Sequence, residues 1–296
     1  MRLSRWTQPP GLEDAGRSCN ATARRPTKAV PRWRTRLRIA LMTTDSMASG
    51  VAVRRLLASK QLDIVVVADS SPFRSPSGPP TRRTLRALGR SWLLIAPYLL
   101  VNFVLPRIAG QSLAAFCRKR GIPFLRLGDV NACTTIAALK GYGAEALLMF
   151  HFDQILTGAT IAAFPAGIAN VHPSLLPEHR GPVPTIHLML QERPWAGVTI
   201  HRVTPAIDDG AVFAQAEVPL PAGISATGAA RHLHLAALPL LAGAIELLRT
   251  GEPGTPQGPR LPYCGFPTAR MLVRLRRMGR RTVRWVDVLD GIYPDS

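Results

Sequence analysis

Short apolar segments that alternate with helical patterns constrain the fold of this chain more than any other feature. Apolar runs at 38–42 and 62–68 predict two buried strands, and apolar residues at helical spacing over 51–57 predict a helix between them. The same alternation resumes after Gly121 and continues to about residue 250. Because strands separated by helices pair most simply as parallel neighbours, the sequence predicts an α/β fold with a doubly wound, mostly parallel sheet.

The later part of this pattern predicts several further elements. Strands are expected at 122–125, 146–150, 169–172, 198–203 and 212–218, and helices at 134–140, 185–192 and 227–248. The turn after the first strand contains no G-x-G-x-x-G motif, so no dinucleotide site is indicated there.

The charge of the chain is concentrated at its two ends. The 37 Lys and Arg residues exceed the 18 Asp and Glu residues by 19, and residues 1–37 and 260–286 hold most of the excess, with net charges of +7 and +8. We therefore expect a basic, disordered leader at 1–37, a folded domain at 38–250 and a basic C-terminal extension at 251–296. A basic and apolar insertion at 70–110 interrupts the folded domain.

This insertion has two interpretations. Residues 70–128 contain ten Lys or Arg and no acidic residue, and the basic residues from 82 to 90 are followed by an apolar run at 92–105. One interpretation is a solvated basic helix that leads into a core helix. The other is an amphipathic surface at 82–107 that contacts phosphates or, peripherally, an anionic membrane. The apolar run is shorter than the ~20 residues needed to cross a bilayer.

The compartment can also be predicted. The N-terminus lacks the apolar segment of a secretory signal, and the four cysteines are scattered without a C-x-x-C pair. This spacing does not indicate a disulfide framework or a structural zinc site. We therefore expect a cytoplasmic protein.

Two polar side chains on one predicted strand are the first candidates for chemistry. Asn170 and His172 are two residues apart, so they project from the same face of a strand. An amide beside an imidazole can polarise a carbonyl and bind the oxyanion that forms when the carbonyl is attacked. Taken alone, the pair is more typical of a satisfied structural contact than of a site.

A second segment adds carboxylates. The predicted strand at 198–203 leads into a loop that contains Asp208, Asp209 and Gly210. An Asp at the end of a strand is commonly a turn residue, so this loop alone does not indicate a site.

Together, these segments resemble the folate-dependent formyltransferase family, which includes methionyl-tRNA, phosphoribosylglycinamide and amino-sugar formyltransferases. The family's Asn-x-His-x-Ser-Leu-Leu-Pro, Arg-Gly-x-x-Pro, Gly-Val-Thr-Ile and Asp-x-Gly motifs correspond, without gaps, to 170–177, 180–184, 197–200 and 208–210. The family's aromatic-x-x-Ile-Leu segment corresponds to 152–156. The resemblance covers about residues 38–250.

The resemblance implies transfer of a formyl group from 10-formyltetrahydrofolate to a primary amine on a Rossmann-like doubly wound sheet. By position, it assigns catalytic roles to Asn170, His172 and Asp208. Our hypothesis is that Asn170 and a protonated His172 hold the oxyanion, while Asp208 pairs with His172 and accepts the amine proton through water. Asp209 is the alternative to Asp208.

The resemblance also implies a pocket for the pterin ring of the donor and requires no metal. Its lining by correspondence consists of six residues in two loops, namely Phe152, Gln154, Ile155, Leu156, Thr204 and Ile207. Such a pocket would bind largely through apolar contact and backbone hydrogen bonds.

Several acceptors remain open, and the sequence makes no prediction about the oligomeric state. The Gly-Ser-Asn phosphate loop of the glycinamide enzymes is replaced by 43–46, and fewer than fifty residues follow Leu248, too few for the tRNA-gripping barrel of the methionyl-tRNA enzymes. A small or sugar-linked amine is therefore the first expectation, with the patch at 263–268 packing over a cleft, and methionyl-tRNA is the alternative. Formyltetrahydrofolate hydrolysis would use the same three residues with water in place of the amine, but residues 1–37 are too few for the regulatory domain of such enzymes. A non-enzymatic nucleic-acid module would explain the charge but not the motifs.

Overall fold

The computed structural model describes residues 36–70, 94–108, 112–192 and 194–292. The predicted leader at 1–37 lies outside the described residues except for its last two. The basic half of the insertion, 71–93, lies outside them as well.

Within the described residues the strands form one seven-stranded sheet. In chain order they are β1 (Arg38–Thr44), β2 (Asp63–Ser70), β3 (Phe124–Arg126), β4 (Ala146–Phe150), β5 (Ile168–His172), β6 (Gly197–Arg202) and β7 (Val212–Glu217). The order across the sheet is β3-β2-β1-β4-β5-β6-β7. The first five strands in this order form four parallel pairs, whereas β6 is antiparallel to β5 and β7 is antiparallel to β6. The predicted mostly parallel, doubly wound sheet is confirmed.

Helices cover both faces of this sheet. They are α1 (Gly50–Ser59), α2 (94–108), α3 (Leu113–Arg120), α4 (Cys133–Gly141), α5 (Gly158–Ala162), α6 (Pro184–Leu188), α7 (Ala226–Thr250), α8 (Ala269–Arg277) and α9 (Trp285–Ile292). Within α2, Leu100–Val104 is a π-helical turn. The sequence analysis did not predict α3, α5, α8 or α9, each of which is at most nine residues long.

Alternation along β1 shows why the sheet needs both layers. Ile39 and Leu41 belong to a core cluster that includes residues of α1 and α7. Ala40 and Met42 belong to a second cluster that includes residues of α4. All four side chains are fully buried, so the strand is covered on both faces, as expected for a strand at the centre of a parallel sheet.

A third, smaller cluster joins the insertion to the C-terminal extension. Ile95 and Tyr98 of α2 pack with Ile186 of α6 and with Leu272 and Leu275 of α8. Burial of Leu272 and Leu275 leaves the Arg-rich side of α8 exposed. The two segments outside the α/β core are therefore packed against the same part of the domain.

Asn102 is a buried polar residue within the apolar run of α2, and its hydrogen bonds account for its burial. The side chain is fully buried, and its Nδ2 donates to the Tyr98 carbonyl at 2.9 Å and to Thr227 Oγ1 at 2.8 Å. The Asn102 carbonyl accepts from the Met47 backbone N–H at 2.9 Å. These bonds fix α2 to the β1–α1 loop and to α7.

Two helical segments of the described chain, Leu94–Arg120 and Ala226–Thr250, are long and apolar enough to cross a membrane by length and composition alone. The second is α7, whose Leu233, Leu241 and Leu248 are buried in the core beside β6 and β7. The first contains α2, α3 and residues 109–111, which lie outside the described chain. The apolar stretch is therefore longer than the sequence indicated.

Three cysteines lie in the described residues. Cys117, which is buried, and Cys264, which is half-buried, are free thiols.

Candidate active site

Asn170 and His172 lie on β5, with their side chains on the same face. His172 is 4% exposed and Asn170 is half-buried. His172 Nε2 donates to the His179 carbonyl at 3.1 Å. This bond leaves the second ring nitrogen, Nδ1, directed at the loop that follows β6.

Asp208 is the residue of that loop that approaches both side chains. Its Oδ2 lies 3.8 Å from His172 Nδ1, and its Oδ1 accepts from Asn170 Nδ2 at 3.5 Å. A stronger bond comes from the Gly181 backbone N–H, which donates to Oδ2 at 2.9 Å. The structure therefore brings together the amide, the imidazole and the carboxylate singled out in the sequence.

Asp209, the alternative carboxylate, faces other partners. Its Oδ1 lies 3.6 Å from Arg180 Nη2 and its Oδ2 lies 3.9 Å from Arg260 Nε. Asp208, the first residue of the Asp-x-Gly motif, is therefore the one that faces His172. Asp209 instead lies beside two arginines.

Arg180 holds the backbone of the loop after β6 in place. The side chain is 1% exposed, and its Nε donates to the Ile207 carbonyl at 3.1 Å. Its Nη2 also donates to that carbonyl. A buried guanidinium needs such acceptors, because an unpaired buried charge is strongly destabilising. Ile207 immediately precedes Asp208, whose φ of 49° is the left-handed conformation that Asp tolerates better than most residues.

Gly181 occupies a position that only glycine fits. Its φ is 127°, and a Cβ there would lie 2.1 Å from the carbonyl oxygen of Cys264. This close approach is what allows its N–H to reach the Asp208 carboxylate while the C-terminal segment packs against it.

The C-terminal extension contributes directly to the site. Gln257 Nε2 donates to the carbonyls of Asp208 at 3.1 Å and Gly210 at 2.8 Å. The Cys264 N–H donates to the Arg180 carbonyl at 2.7 Å. Residues 255–268, which we call the C-terminal strap, therefore fasten both the loop after β6 and the segment that contains Arg180. Tyr263 and Phe266 of the strap are 53% and 66% exposed.

His201 is a site residue that the sequence did not single out. It lies on β6 directly opposite Asn170 and is 2% exposed. Its Nδ1 donates to the Arg202 carbonyl at 2.9 Å, so its Nε2 carries a lone pair that accepts from Asn170 Nδ2 at 3.1 Å. This bond fixes the orientation of the Asn170 amide. The signal that could have revealed it is the antiparallel register of β5 and β6.

The electrostatics of the pair differ from the sequence hypothesis. Burial lowers the pKa of His172, and the nearby Asp208 carboxylate opposes this shift only in part. Burial alone would raise the pKa of Asp208, but the neighbouring His172 and His201 and the Gly181 N–H hold it well below its usual range. Burial therefore favours the neutral form of His172, whereas the sequence hypothesis uses the protonated form, which the Asp208 carboxylate favours.

The loop after β4 carries the other predicted binding residues. Gln154 Oε1 accepts from the Val130 N–H at 2.9 Å, and its Nε2 donates to Ser70 Oγ and the Gly128 carbonyl, both at 2.9 Å. The amide of Gln154 is thus used to hold three loops together. Beside it, Leu156 is buried and Ile155 is 64% exposed.

The second predicted loop packs on the same core cluster. Val203 packs beside Leu156 and Phe152, and the half-buried Thr204 and Ile207 follow in the chain. Within the described ranges, no group of three His, Cys, Asp or Glu side chains is arranged to hold a metal ion.

A second histidine pair lies beneath the loop after β1. The His151 and His234 rings are 5.5 Å apart, and His151 Nδ1 is bonded to Ser46 Oγ at 2.8 Å. His234 is fully buried and donates from Nδ1 to the Ala48 carbonyl at 3.0 Å. Burial lowers the pKa of His151 to about 4 and that of His234 to about 3.

These shifts predict how stability depends on pH. The folded state disfavours protonation of His234, whereas the unfolded chain binds the proton at the usual His pKa of 6.5. The free energy of unfolding is therefore unaffected by this residue above pH 6.5 and decreases as the pH falls from 6.5 toward 3. At pH 5 we expect a loss of about 2 kcal/mol from this residue relative to pH 7. Urea unfolding of the wild type and of His234→Gln at both pH values measures it. An equal pH effect in both proteins would contradict this assignment.

Comparison with known sequences agrees with the site. Residues 130–242 match the model of a protein family described as formyl transferase. The matched segment contains Asn170, His172 and Asp208, and it ends before the C-terminal strap. Methionyl-tRNA formyltransferase of Borrelia recurrentis (strain A1) is 29% identical over 132 residues, which are 44% of this chain and 43% of that protein. The chain thus matches less than half the length of this relative.

Solved structures share the fold. Glycinamide ribonucleotide transformylase 1 from Symbiobacterium toebii superposes with a TM-score of 0.51 and 21% identity, covering 73% of this chain and 89% of that chain. A sugar N-formyltransferase from Shewanella sp FDAARGOS_354 gives a TM-score of 0.51 and 17% identity, covering 82% of this chain and 87% of that chain. At these identities the similarity establishes the fold alone.

Proposed function

We propose that this chain transfers a formyl group from 10-formyltetrahydrofolate to a primary amine, and the match of residues 130–242 to the formyl transferase family supports the proposal. The observation that carries the proposal is the convergence of Asn170, His172 and Asp208, with the Asp208 carboxylate 3.8 Å from the imidazole. An acyl transfer needs a group that stabilises an oxyanion and a route for a proton, and these three residue types supply both.

Asn170 is the proposed oxyanion donor. Its Nδ2 has two hydrogens, one on His201 at 3.1 Å and one on Asp208 at the longer distance of 3.5 Å. The second bond is weak and can be exchanged for a bond to the developing oxyanion, while His201 keeps the amide in place. His172 could add a donor from Nε2 only by releasing the His179 carbonyl.

His172 is the proposed proton acceptor of the pair. A carboxylate with a strongly lowered pKa is a weak base, so Asp208 alone is poorly suited to hold the amine proton. Nδ1 of the neutral His172 faces that carboxylate, and a proton placed there would form an imidazolium–carboxylate pair. The charged His172 of the sequence hypothesis then belongs to the reaction rather than to the resting enzyme.

The proposed donor pocket lies between the loop after β4 and the loop after β6. Exposed Ile155, buried Leu156 and half-buried Phe152 and Ile207 offer apolar surface of the kind that binds a planar ring. These residues fit a pterin. When bound, 10-formyltetrahydrofolate supplies the formyl group. Gln154 contributes by fixing the loop, because its own amide is already bonded within the protein.

A small or sugar-linked amine is the acceptor that we favour. Tyr263 lies against the Gly181 position, and the pKa of its hydroxyl is raised by burial and by the charge of Asp208. Tyr263 and the exposed Phe266 would therefore form an aromatic wall beside the reacting groups, suited to the ring of a small acceptor. A protein of similar fold bears the name sugar N-formyltransferase.

Methionyl-tRNA is the second candidate. The exposed arginines of α8, Arg270, Arg274, Arg276 and Arg277, form a basic surface that could contact phosphates. A methionyl-tRNA formyltransferase is similar to this chain over 132 residues.

Release of tetrahydrofolate distinguishes these functions. We expect release from 10-formyltetrahydrofolate in the presence of amino-sugar nucleotides and little release without an acceptor. Release that requires charged initiator tRNA would instead establish the second candidate, and equal release without any acceptor would indicate hydrolysis. No release under any condition would contradict the proposed formyl transfer.

A further inference from the structure

One face of the molecule carries exposed apolar side chains. They come from segments that lie far along the chain from Asn170, His172 and Asp208. Trp285, Val286 and Leu289 of α9 are 85%, 46% and 57% exposed, and Ile108 at the end of α2 is 76% exposed. Residues Leu105–Ile108 of α2 contact α9. These side chains therefore belong to one apolar area, which we call the α2–α9 face.

A cleft of about 900 Å³ adjoins this face. Pro97 and Val101 of α2 line one side, and Arg281, Arg284 and Trp285 line the other. The cleft thus connects the two helices and places guanidinium groups beside the exposed tryptophan.

The charge of the surroundings is strongly positive. Arg270, Arg274, Arg276 and Arg277 of α8 are exposed, as are Arg281 and Arg284 in the segment that leads to α9. In this region the acidic residue with a described side chain is Asp287, which is 2% exposed and bonded to Ser225 Oγ and the Arg284 N–H, both at 2.6 Å. No described acidic side chain of 269–289 therefore offsets the arginines at the surface.

We propose that the α2–α9 face binds the surface of membranes that contain anionic phospholipids. Exposed Trp and aliphatic side chains enter the interfacial region of a bilayer, while flanking arginines attract acidic headgroups. A nucleic-acid surface would use the arginines but gives no role to Ile108, Val286 and Leu289, because recognition of a phosphate backbone is mainly electrostatic. This proposal is independent of the proposed catalytic function.

Sedimentation with vesicles tests the proposal on the full chain. Wild-type protein should sediment with phosphatidylcholine vesicles that contain phosphatidylglycerol and much less with phosphatidylcholine alone. Trp285→Ser/Leu289→Ser should weaken binding at least tenfold, since it removes the most exposed apolar groups. Arg277→Ala/Arg281→Ala should weaken it about thirtyfold at low salt.

Arg118→Ala/Lys119→Ala provides the matched control. It removes the same charge from exposed positions of α3, which pack near α1 and β3, and should leave binding within about twofold of wild type. Circular dichroism checks that each variant is folded. The proposal is overturned if folded wild type does not sediment with the anionic vesicles, or if the control weakens binding as much as the two test variants. It is also overturned if the protein binds tRNA but no vesicles.

Discussion

Replacement of Asp208 by Asn is expected to lower kcat by about 10²–10⁴-fold, within the range found for removal of a general acid–base or oxyanion-stabilising group. The substitution keeps the size of the side chain but removes the charge that faces His172 Nδ1 at 3.8 Å. A proton taken up by His172 would then lack its buried counter-charge. The measurement is single-turnover formation of tetrahydrofolate with an accepted amine.

The pH profile of Asp208→Asn gives a second readout. The Asp208 carboxylate raises the pKa of His172 against the larger effect of burial. Removal of that charge should therefore lower the pKa of His172 further, and the acidic limb of kcat/KM should move to lower pH. A change that only loosened the fold would not move the limb in this direction.

Asp209→Asn is the matched control for this prediction. It makes the same chemical change one residue away, on a side chain that faces Arg180 and Arg260. We expect its kcat to remain within about tenfold of wild type, because that carboxylate interacts with exposed or multiply bonded partners. If both variants lost activity equally, or if Asp208→Asn stayed near wild type, the proposed role of Asp208 would be wrong. Asn170→Ala and His172→Ala should resemble Asp208→Asn.

The strand that carries Asn170 and His172 was within reach of sequence reasoning. Buried apolar neighbours indicate the strand, and the two-residue period of a strand places both side chains on one face. This argument needs no information on the rest of the fold. The same argument predicted β1, β2 and β4, because their burial on both faces requires near-continuous apolar runs.

The approach of Asp208 could not be derived in this way. β6 is antiparallel to β5, and Arg202 at its end pairs with Ala169 near the start of β5. The following loop therefore begins at the opposite end of β5 from His172 and must fold back along the sheet to reach it. Sequence periodicity carries no information on such a return, so only the resemblance to a family pointed to Asp208. The position of His201 opposite Asn170 depends on the register of the same two strands, which periodicity alone does not give.

The role of the C-terminal strap could not be predicted from sequence periodicity either. Its segment from 255 to 268 has no regular secondary structure apart from an isolated bridge between Thr255 and Val212. It is held by single bonds to distant backbone groups, such as that from Gln257 Nε2 to the Gly210 carbonyl. Such long-range contacts leave no pattern in the local sequence, although the aromatic patch at 263–268 suggested a covering element.

Gly181 joins these parts of the site, and its conformation makes a sharp test. Its N–H holds Asp208, the carbonyl of the preceding Arg180 accepts from the Cys264 N–H, and its Cα faces the Cys264 carbonyl. The loop after β6, the Arg-Gly motif and the C-terminal strap therefore meet at one glycine. A side chain at this position must displace at least one of them.

Gly181→Ala is accordingly expected to reduce kcat about 100-fold and to destabilise the protein by about 1–3 kcal/mol, because its backbone conformation is nearly confined to glycine. The added Cβ would lie 2.1 Å from the Cys264 carbonyl oxygen, which is backbone and cannot rotate away. Gly243→Ala is the control, since Gly243 lies within α7 with nothing within 4 Å of its Cβ position. That variant should gain about 0.5–1 kcal/mol and keep full activity. Urea unfolding and single-turnover rates measure both variants, and wild-type values for Gly181→Ala would show that the strap does not hold the loop that contains Asp208.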